Sequence, residues 1–208
     1  MEENDVWAER MDALALHDYV VMDDFLSEEI LAETHHFFNV REALNVFDKA
    51  AIGSGRDEQI INEVRGDYTY WLDKKRDEQE LRLFEVLDEV KRMINRYCFL
   101  SLSDYEFHLA LYPKGSFYKK HLDQFRGRNN RMISMIIYLN KDWKPGDGGE
   151  LKVYPEGKEA KTISPLENRC ILFRSDTLLH EVLTANKSRK SVTGWMLYQP
   201  SILVGVTP

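Results

Sequence analysis

The chain has 208 residues, 43% hydrophobic and 30% charged, which is the balance of a globular protein with enough length for a substantial core. Its formal net charge of −7 disfavours nucleic acid as a partner, because phosphate binding draws on cationic surface. No apolar run reaches membrane-spanning length, and the longest, MISMIIYL (132–139), is interrupted by Ser134. The acidic start, MEENDVWAERMD, lacks the basic and apolar blocks of a secretory signal. Cys98 and Cys170 read as buried thiols in a reducing cytoplasm rather than as a disulfide.

In chain order, the first hundred residues read as helices around a few strands. Ser27 is a good N-cap, with Glu28 and Glu29 in the first turn of a helix running to about Asn39 or a little beyond. The stretch NVFDKAAIGSGRDEQI is ambiguous, and Gly53-Ser54-Gly55 marks a loop. EVRGDYTYWL (63–72) suits a strand. Leu83, Leu87, Val90, Ile94 and Tyr97 then recur at helical spacing. From Tyr105 onward the pattern changes to short β-rich runs punctuated by Gly, Pro, Asn and Asp. These are DYEFHLALY, SFYKKHLD, RMISMIIYLN, GELKVYP, AKTIS, RCILFRS, LLHEVL and RKSVTGWMLYQ. Eight such runs without a long helix between them predict an antiparallel sandwich or barrel such as a jelly roll. RMISMIIYL is apolar on both faces and fits a central strand covered on one side by helices. The expected fold is α+β, mainly β. It forms one domain over residues 1–208, with helical support and a substrate-loop region in 1–104 and a jelly-roll core in 105–200.

Within the β-rich half, His121 and Asp123 are two residues apart, which on a strand puts both side chains on one face. An HxD pair alone is weak evidence. His180 lies some sixty residues on, in the apolar setting LLHEVL, where an unpaired imidazole is costly. Arg189 opens a strand in which Arg189, Ser191, Thr193 and Trp195 share a face, and an arginine buried there needs an anion. Two imidazoles, a carboxylate and a following arginine are what a non-haem Fe(II) oxygenase with an anionic co-substrate requires. KKHLDQFRGRNNR (119–131) reads as the basic mouth of such a site. His17, His35 and His36 read as exposed residues. His108 alternates with Ala110 and Tyr112 on a face opposite Phe107, Leu109 and Leu111, where it would line the pocket without binding metal. Arg65-Gly66-Asp67 reads as a turn entering a strand.

Residues 60 to 200 resemble the 2-oxoglutarate- and Fe(II)-dependent dioxygenases of the prolyl 4-hydroxylase superfamily, nearest the hypoxia-inducible-factor prolyl hydroxylase branch and its bacterial relatives. The resemblance is carried by HLD, RMISMIIYLNKDW, GGELKVYPEG, HEV with Arg189 nine residues after His180, Trp195, and upstream by RGDYTYWL. It implies a double-stranded β-helix core with His121, Asp123 and His180 as iron ligands. It further implies Arg189 and Tyr138 on the distal carboxylate of 2-oxoglutarate, with Tyr112 and Thr193 lining the co-substrate pocket. Tyr118, Arg131 and Trp195 would contact the substrate around its proline, and Asp67 would pair with Arg131 to tie the substrate loop to the pocket.

The implied reaction uses Fe(II), 2-oxoglutarate and O2, leaves ascorbate open as an addition, and releases succinate and CO2. A carboxylate at position 123 favours hydroxylation, since halogenating relatives have a small residue there. The leading expectation is a cytoplasmic prolyl 4-hydroxylase acting on a protein or peptide proline, with no membrane or nucleic-acid partner. Two alternatives stand beside it. One is an oxygenase for another substrate, such as a small molecule, free proline or a lysyl side chain. The other is a non-enzymatic metal-binding jelly-roll sensor module.

Overall fold

A computed structural model describes residues 3–50, 64–124 and 129–199, so Gly53-Ser54-Gly55 and part of the basic mouth lie outside the described residues. Among the described residues the helices are α1 (Glu3–His17), α2 (Glu28–Ala43), α3 (Lys74–Asp77) and α4 (Leu83–Cys98). The described part of the first hundred residues also holds the strands β1 (Tyr19–Met22), β2 (Asp48–Lys49) and β3 (Tyr68–Trp71). The eight runs expected after Tyr105 are the remaining strands. They are β4 (Asp104–Tyr112), β5 (Tyr118–His121), β6 (Arg131–Tyr138), β7 (Leu151–Tyr154), β8 (Lys161–Ile163), β9 (Cys170–Arg174), β10 (Leu179–Val182) and β11 (Arg189–Leu197).

These strands form a seven-stranded sheet, ordered β1-β9-β6-β11-β4-β3-β2, and a four-stranded sheet, β5-β10-β7-β8. From β4 onward the chain passes repeatedly between the two sheets, and every ladder is antiparallel. This is the jelly roll that the strand spacing predicts. The first hundred residues extend its larger sheet at both ends, with β1 beside β9 and β3-β2 beside β4.

Helical periodicity in α4 buries Leu83, Leu87, Val90 and Ile94 completely against the large sheet. The helix stops at Phe99, which adopts the left-handed conformation at φ 54°, and Asn95 ties the backbone of Leu102 through both its amide atoms. Ser27 caps α2 as expected by accepting from the Ile30 N–H, and the helix continues to Ala43. The acidic amino-terminal stretch is helical too, and buries Trp7, Met11 and Leu14 in the same core. Period-two alternation splits β6 between two cores. Ile133, Met135 and Ile137 face the helices, while Ile136 and Tyr138 face the small sheet with Leu151, Val153, Ile171, Phe173 and Val182.

β11 lies between β4 and β6 and brings Arg189, Thr193 and Trp195 into the gap between the sheets. On its helix-facing side Gly194 allows the close approach to β4, because a Cβ there would meet the Glu106 carbonyl oxygen at 2.3 Å and the Phe107 ring at 2.4 Å. Both cysteines are free, Cys170 buried and Cys98 only half-buried, because Cys98 is the last residue of α4. No helix among the described residues is long and apolar enough to cross a membrane.

Candidate active site

Antiparallel pairing of β5 with β10 sets His121 directly opposite His180, and Asp123 follows just past the end of β5. One ligand atom from each of the three lies within 4.8 Å of the others. The His121 Nδ1 lies 2.7 Å from the Lys119 carbonyl oxygen and the His180 Nδ1 lies 3.0 Å from that of Leu178. With Nδ1–H donating to a carbonyl, each Nε2 presents its lone pair, and these atoms sit 3.3 and 3.5 Å from Asp123 Oδ1. Burial pushes the Asp123 carboxyl up, but the neighbouring imidazoles, His180 foremost, hold it well below the usual carboxylate range. At His180 burial favours the neutral ring, yet the Asp123 charge raises it overall; His121 is lowered by burial. The three atoms thus converge on one position suited to a cation. Tyr118 stacks on the His121 ring at 3.7 Å between centroids, which fixes its plane.

Behind this cluster lies Arg189, 1% exposed, sandwiched between the rings of Tyr112 and Tyr138 at 4.8 Å from each. Among the described residues its Nη1 makes a long contact to Ser191 Oγ at 3.5 Å, and its Nε finds no hydrogen-bond partner. The Tyr138 hydroxyl is likewise buried and unpartnered. Burial pushes both phenols up, so they remain donors. Gly149 makes the packing possible: at φ +67° its missing Cβ would stand 3.0 Å from Arg189 Cδ. A buried guanidinium flanked by phenolic donors and lacking a carboxylate is an anion receptor.

A cavity of about 280 Å³ joins the cluster and the arginine, lined by Tyr112, Thr193, Trp195, Arg131, Tyr118 and His108 among others. At its mouth Arg131 lies 3.5 Å over the Trp195 ring and is held by Glu106 at 2.6 and 2.7 Å. His108 projects between Trp71 and Trp195, with Ala110 and Tyr112 on its face and Phe107 and Leu109 in the opposite core, as the alternation predicts. Burial, reinforced by Arg65, holds its imidazole down at about 3, so it is neutral.

Two expectations need correction. Asp67 does not pair with Arg131: its carboxylate is forked onto Arg65 at 2.6 and 2.8 Å, because residues two apart in extended chain share a face. Arg65 in turn lies 4.5 Å over Tyr118, so Asp67 reaches the cavity wall only through that stack. His35 is not exposed either, since Glu167 binds its Nε2 at 2.6 Å; His17 and His36 are on the surface.

The model of the 2OG-Fe(II) oxygenase superfamily matches residues 107–197. A solved prolyl-4-hydroxylase of Pseudomonas putida is 32% identical, with a TM-score of 0.84 over 93% of this chain and 100% of that one. The chain belongs to the 2OG-Fe(II) oxygenase superfamily. Egl nine homolog 1 of Mus musculus is 30% identical over 189 residues, 86% of this chain and 46% of that protein. A prolyl hydroxylase of Trichoplax adhaerens, solved in complex with a hypoxia inducible factor oxygen degradation domain peptide fragment, shares the fold at 24% identity and a TM-score of 0.82. The chain spans only 26% to 55% of the length of the first curated relatives it matches.

Superfamily membership implies Fe(II) and 2-oxoglutarate, and the donor set fits both. Two imidazole nitrogens and a carboxylate oxygen suit Fe(II), and the buried arginine with its two phenols suits the far carboxylate of a small dicarboxylate. Several residues at the site carry little signal in the sequence. Asp48, Lys49, Ala50, Arg65 and Trp71 line the cavity, and Ser134 and Ser175 lie behind Asp123. For Ser134 the signal was present as the one polar residue in MISMIIYL.

Proposed function

We propose that this chain is a prolyl 4-hydroxylase that acts on a proline within a protein or peptide. The observation that carries the reading is the pairing of a three-point metal cluster with a buried, unpaired Arg189 inside one open cavity. A retained anion receptor argues against a module that merely holds metal. His121, Asp123 and His180 are assigned to Fe(II), and Arg189, Tyr138, Tyr112 and Thr193 to 2-oxoglutarate. Arg131, Trp195 and Tyr118 are assigned to the substrate, with Asp67 supporting that wall through Arg65. When bound, Fe(II) and 2-oxoglutarate supply the oxidising power, O2 being consumed to give succinate, CO2 and a hydroxylated carbon.

The protein's own contribution is binding and orientation. The backbone carbonyls of Lys119 and Leu178 fix both imidazoles in the Nε2-ligating tautomer. Arg189 and Tyr138 anchor the co-substrate from its far end, which sets its reach toward the metal cluster. The hydroxyl ladder from Arg189 through Ser191 to Thr193 lines one side of that path, with Ser191 Oγ 3.0 Å from Thr193 Oγ1. Trp195, Trp71 and Tyr118 give the cavity an aromatic wall, which suits a pyrrolidine ring. The prolyl assignment draws on this wall and on the 32% identity to the solved prolyl-4-hydroxylase of Pseudomonas putida.

The test is mass spectrometry of proline-containing peptides and of a cell extract incubated with the Fe(II)-loaded protein, 2-oxoglutarate and O2. One added oxygen on a prolyl residue, absent with His121→Ala, supports the proposal. Turnover of 2-oxoglutarate that oxidises a lysyl side chain, free proline or another small molecule instead would replace it.

A further inference from the structure

The two oxygens of Asp123 have different surroundings. Oδ1 faces the Nε2 atoms of His121 and His180, at 3.3 and 3.5 Å. Oδ2 points the other way and accepts a hydrogen bond of 2.6 Å from the Ser134 hydroxyl. Ser134 Oγ is in turn 2.8 Å from Ser175 Oγ, and both serines are fully buried. The direction of this chain follows from counting protons. An ionised carboxylate only accepts, so the single Ser134 proton goes to Asp123, and the hydrogen between the serines comes from Ser175. Both hydroxyls therefore donate toward the carboxylate, an arrangement in which each bond polarises the next.

Backbone contacts keep the pair in place. The Ser175 N–H donates to the Met132 carbonyl at 3.1 Å, and its own carbonyl accepts from the N–H of Gln124, the residue after Asp123, also at 3.1 Å. The Gln124 side chain donates to the Arg131 carbonyl at 3.0 Å. The loop bearing Asp123, the turn after β9 and the start of β6 are thus stitched together around the two hydroxyls.

We propose that Ser175 and Ser134 form a relay that engages one oxygen of Asp123 and so keeps this carboxylate a single-point ligand. The proposal rests on the assignment of Asp123 to iron made above. A carboxylate is free to bind a cation through one oxygen or both. With three single-point protein ligands an octahedral ion retains a pair of positions for a chelating 2-oxo acid and one for O2. A carboxylate that turned its second oxygen inward would take one of these. Ser134 prevents the turn by giving Oδ2 a short, charge-assisted hydrogen bond that rotation would break and leave unmade in a buried place. Ser134 and Ser175 are positioning residues, since neither touches the metal position.

The experiment compares Ser134→Thr, which keeps a hydroxyl, with Ser134→Val, which has the same shape without one. Ser134→Ala removes only the oxygen and serves if added bulk in this buried strand impairs folding. Each protein is saturated with Fe(II) under argon and titrated with 2-oxoglutarate, following the visible charge-transfer absorption of the chelate, so no turnover is involved. The relay predicts that Ser134→Thr binds 2-oxoglutarate like the unsubstituted protein. Ser134→Val and Ser134→Ala should bind it about ten-fold more weakly or worse, while holding Fe(II) within about three-fold because the freed oxygen replaces the lost contact. Ser175→Ala should shift the same quantity in the same direction by less. Equal 2-oxoglutarate affinity in the Thr and Val or Ala variants overturns the relay and leaves the functional assignment standing. An unsubstituted protein that binds Fe(II) but no 2-oxoglutarate overturns both.

Discussion

The two faces of β6 and its neighbours carry opposite kinds of residue. Toward the helices, Ile133, Met135 and Ile137 meet Leu83, Leu87, Val90 and Ile94, apolar side chains buried against one another. Toward the small sheet the same strands carry Ser134, Tyr138, His108, Arg189 and Trp195. Among the described residues, the buried side-chain polar atoms without a hydrogen-bond partner are His108 Nδ1, Tyr138 Oη, Arg189 Nε, Trp195 Nε1 and Tyr105 Oη. All but the last lie on the inter-sheet face. An unmet buried polar group costs stability, so this face is maintained at the expense of the fold and the helix-facing core offsets it. One sheet therefore separates stability from chemistry by the two-residue alternation of its strands.

That contrast can be broken from either side. Leu87→Ala on the helix face should lower unfolding free energy by about 2–5 kcal/mol, read by urea denaturation, and leave the KM for 2-oxoglutarate unchanged. Arg189→Met on the opposite face should do the reverse. Losing a charged fork worth about 2–3 kcal/mol raises the KM for 2-oxoglutarate roughly 100-fold, with little change in iron affinity. Its thermal midpoint should hold or rise, because a buried unpaired cation has been removed. A fall in both stability and co-substrate binding in either variant would mean that the two faces are not separate.

His108 extends the comparison to pH. Its folded value of about 3 lies below the value near 6.5 expected in the unfolded chain, so in acid the unfolded state takes up the proton and the folded state does not. Stability from this residue is complete above the unfolded value and falls as pH drops from about 6.5 toward 3. Between pH 7 and pH 5 the loss is about 2 kcal/mol. His108→Leu should flatten that part of the stability profile, and identical profiles would mean that the ring is not sealed. The smallest effect is expected far from either face. Ser27→Ala removes the α2 cap and should cost about 1 kcal/mol with unchanged kinetics.

Much of this architecture was legible because it is written in short-range pattern. The eight runs after Tyr105 are set off by turn residues, and each is a strand. The period-two face of β11 brought Arg189 and Thr193 toward one cavity, and the alternation around His108 placed it on the wall. What escaped depends on which side chains meet across the fold. Asp67 was expected on Arg131, but Arg65 is nearer along the chain and Glu106 had already engaged Arg131. Ser134 appeared only as an interruption in an apolar run, since nothing local says that Asp123 and Ser175 converge on it. The amino-terminal helix was hidden by its charges, although Trp7, Met11 and Leu14 already carried helical spacing.

The central claim is that the polar set between the sheets is a joint site for Fe(II) and 2-oxoglutarate. The direct test is an anaerobic titration of the Fe(II)-loaded protein with 2-oxoglutarate, with His121→Ala and Arg189→Met in parallel. The account predicts saturable, stoichiometric chelate absorption in the unsubstituted protein, none with His121→Ala, and a curve displaced to about 100-fold higher 2-oxoglutarate with Arg189→Met. Superimposable curves for Arg189→Met and the unsubstituted protein would contradict it.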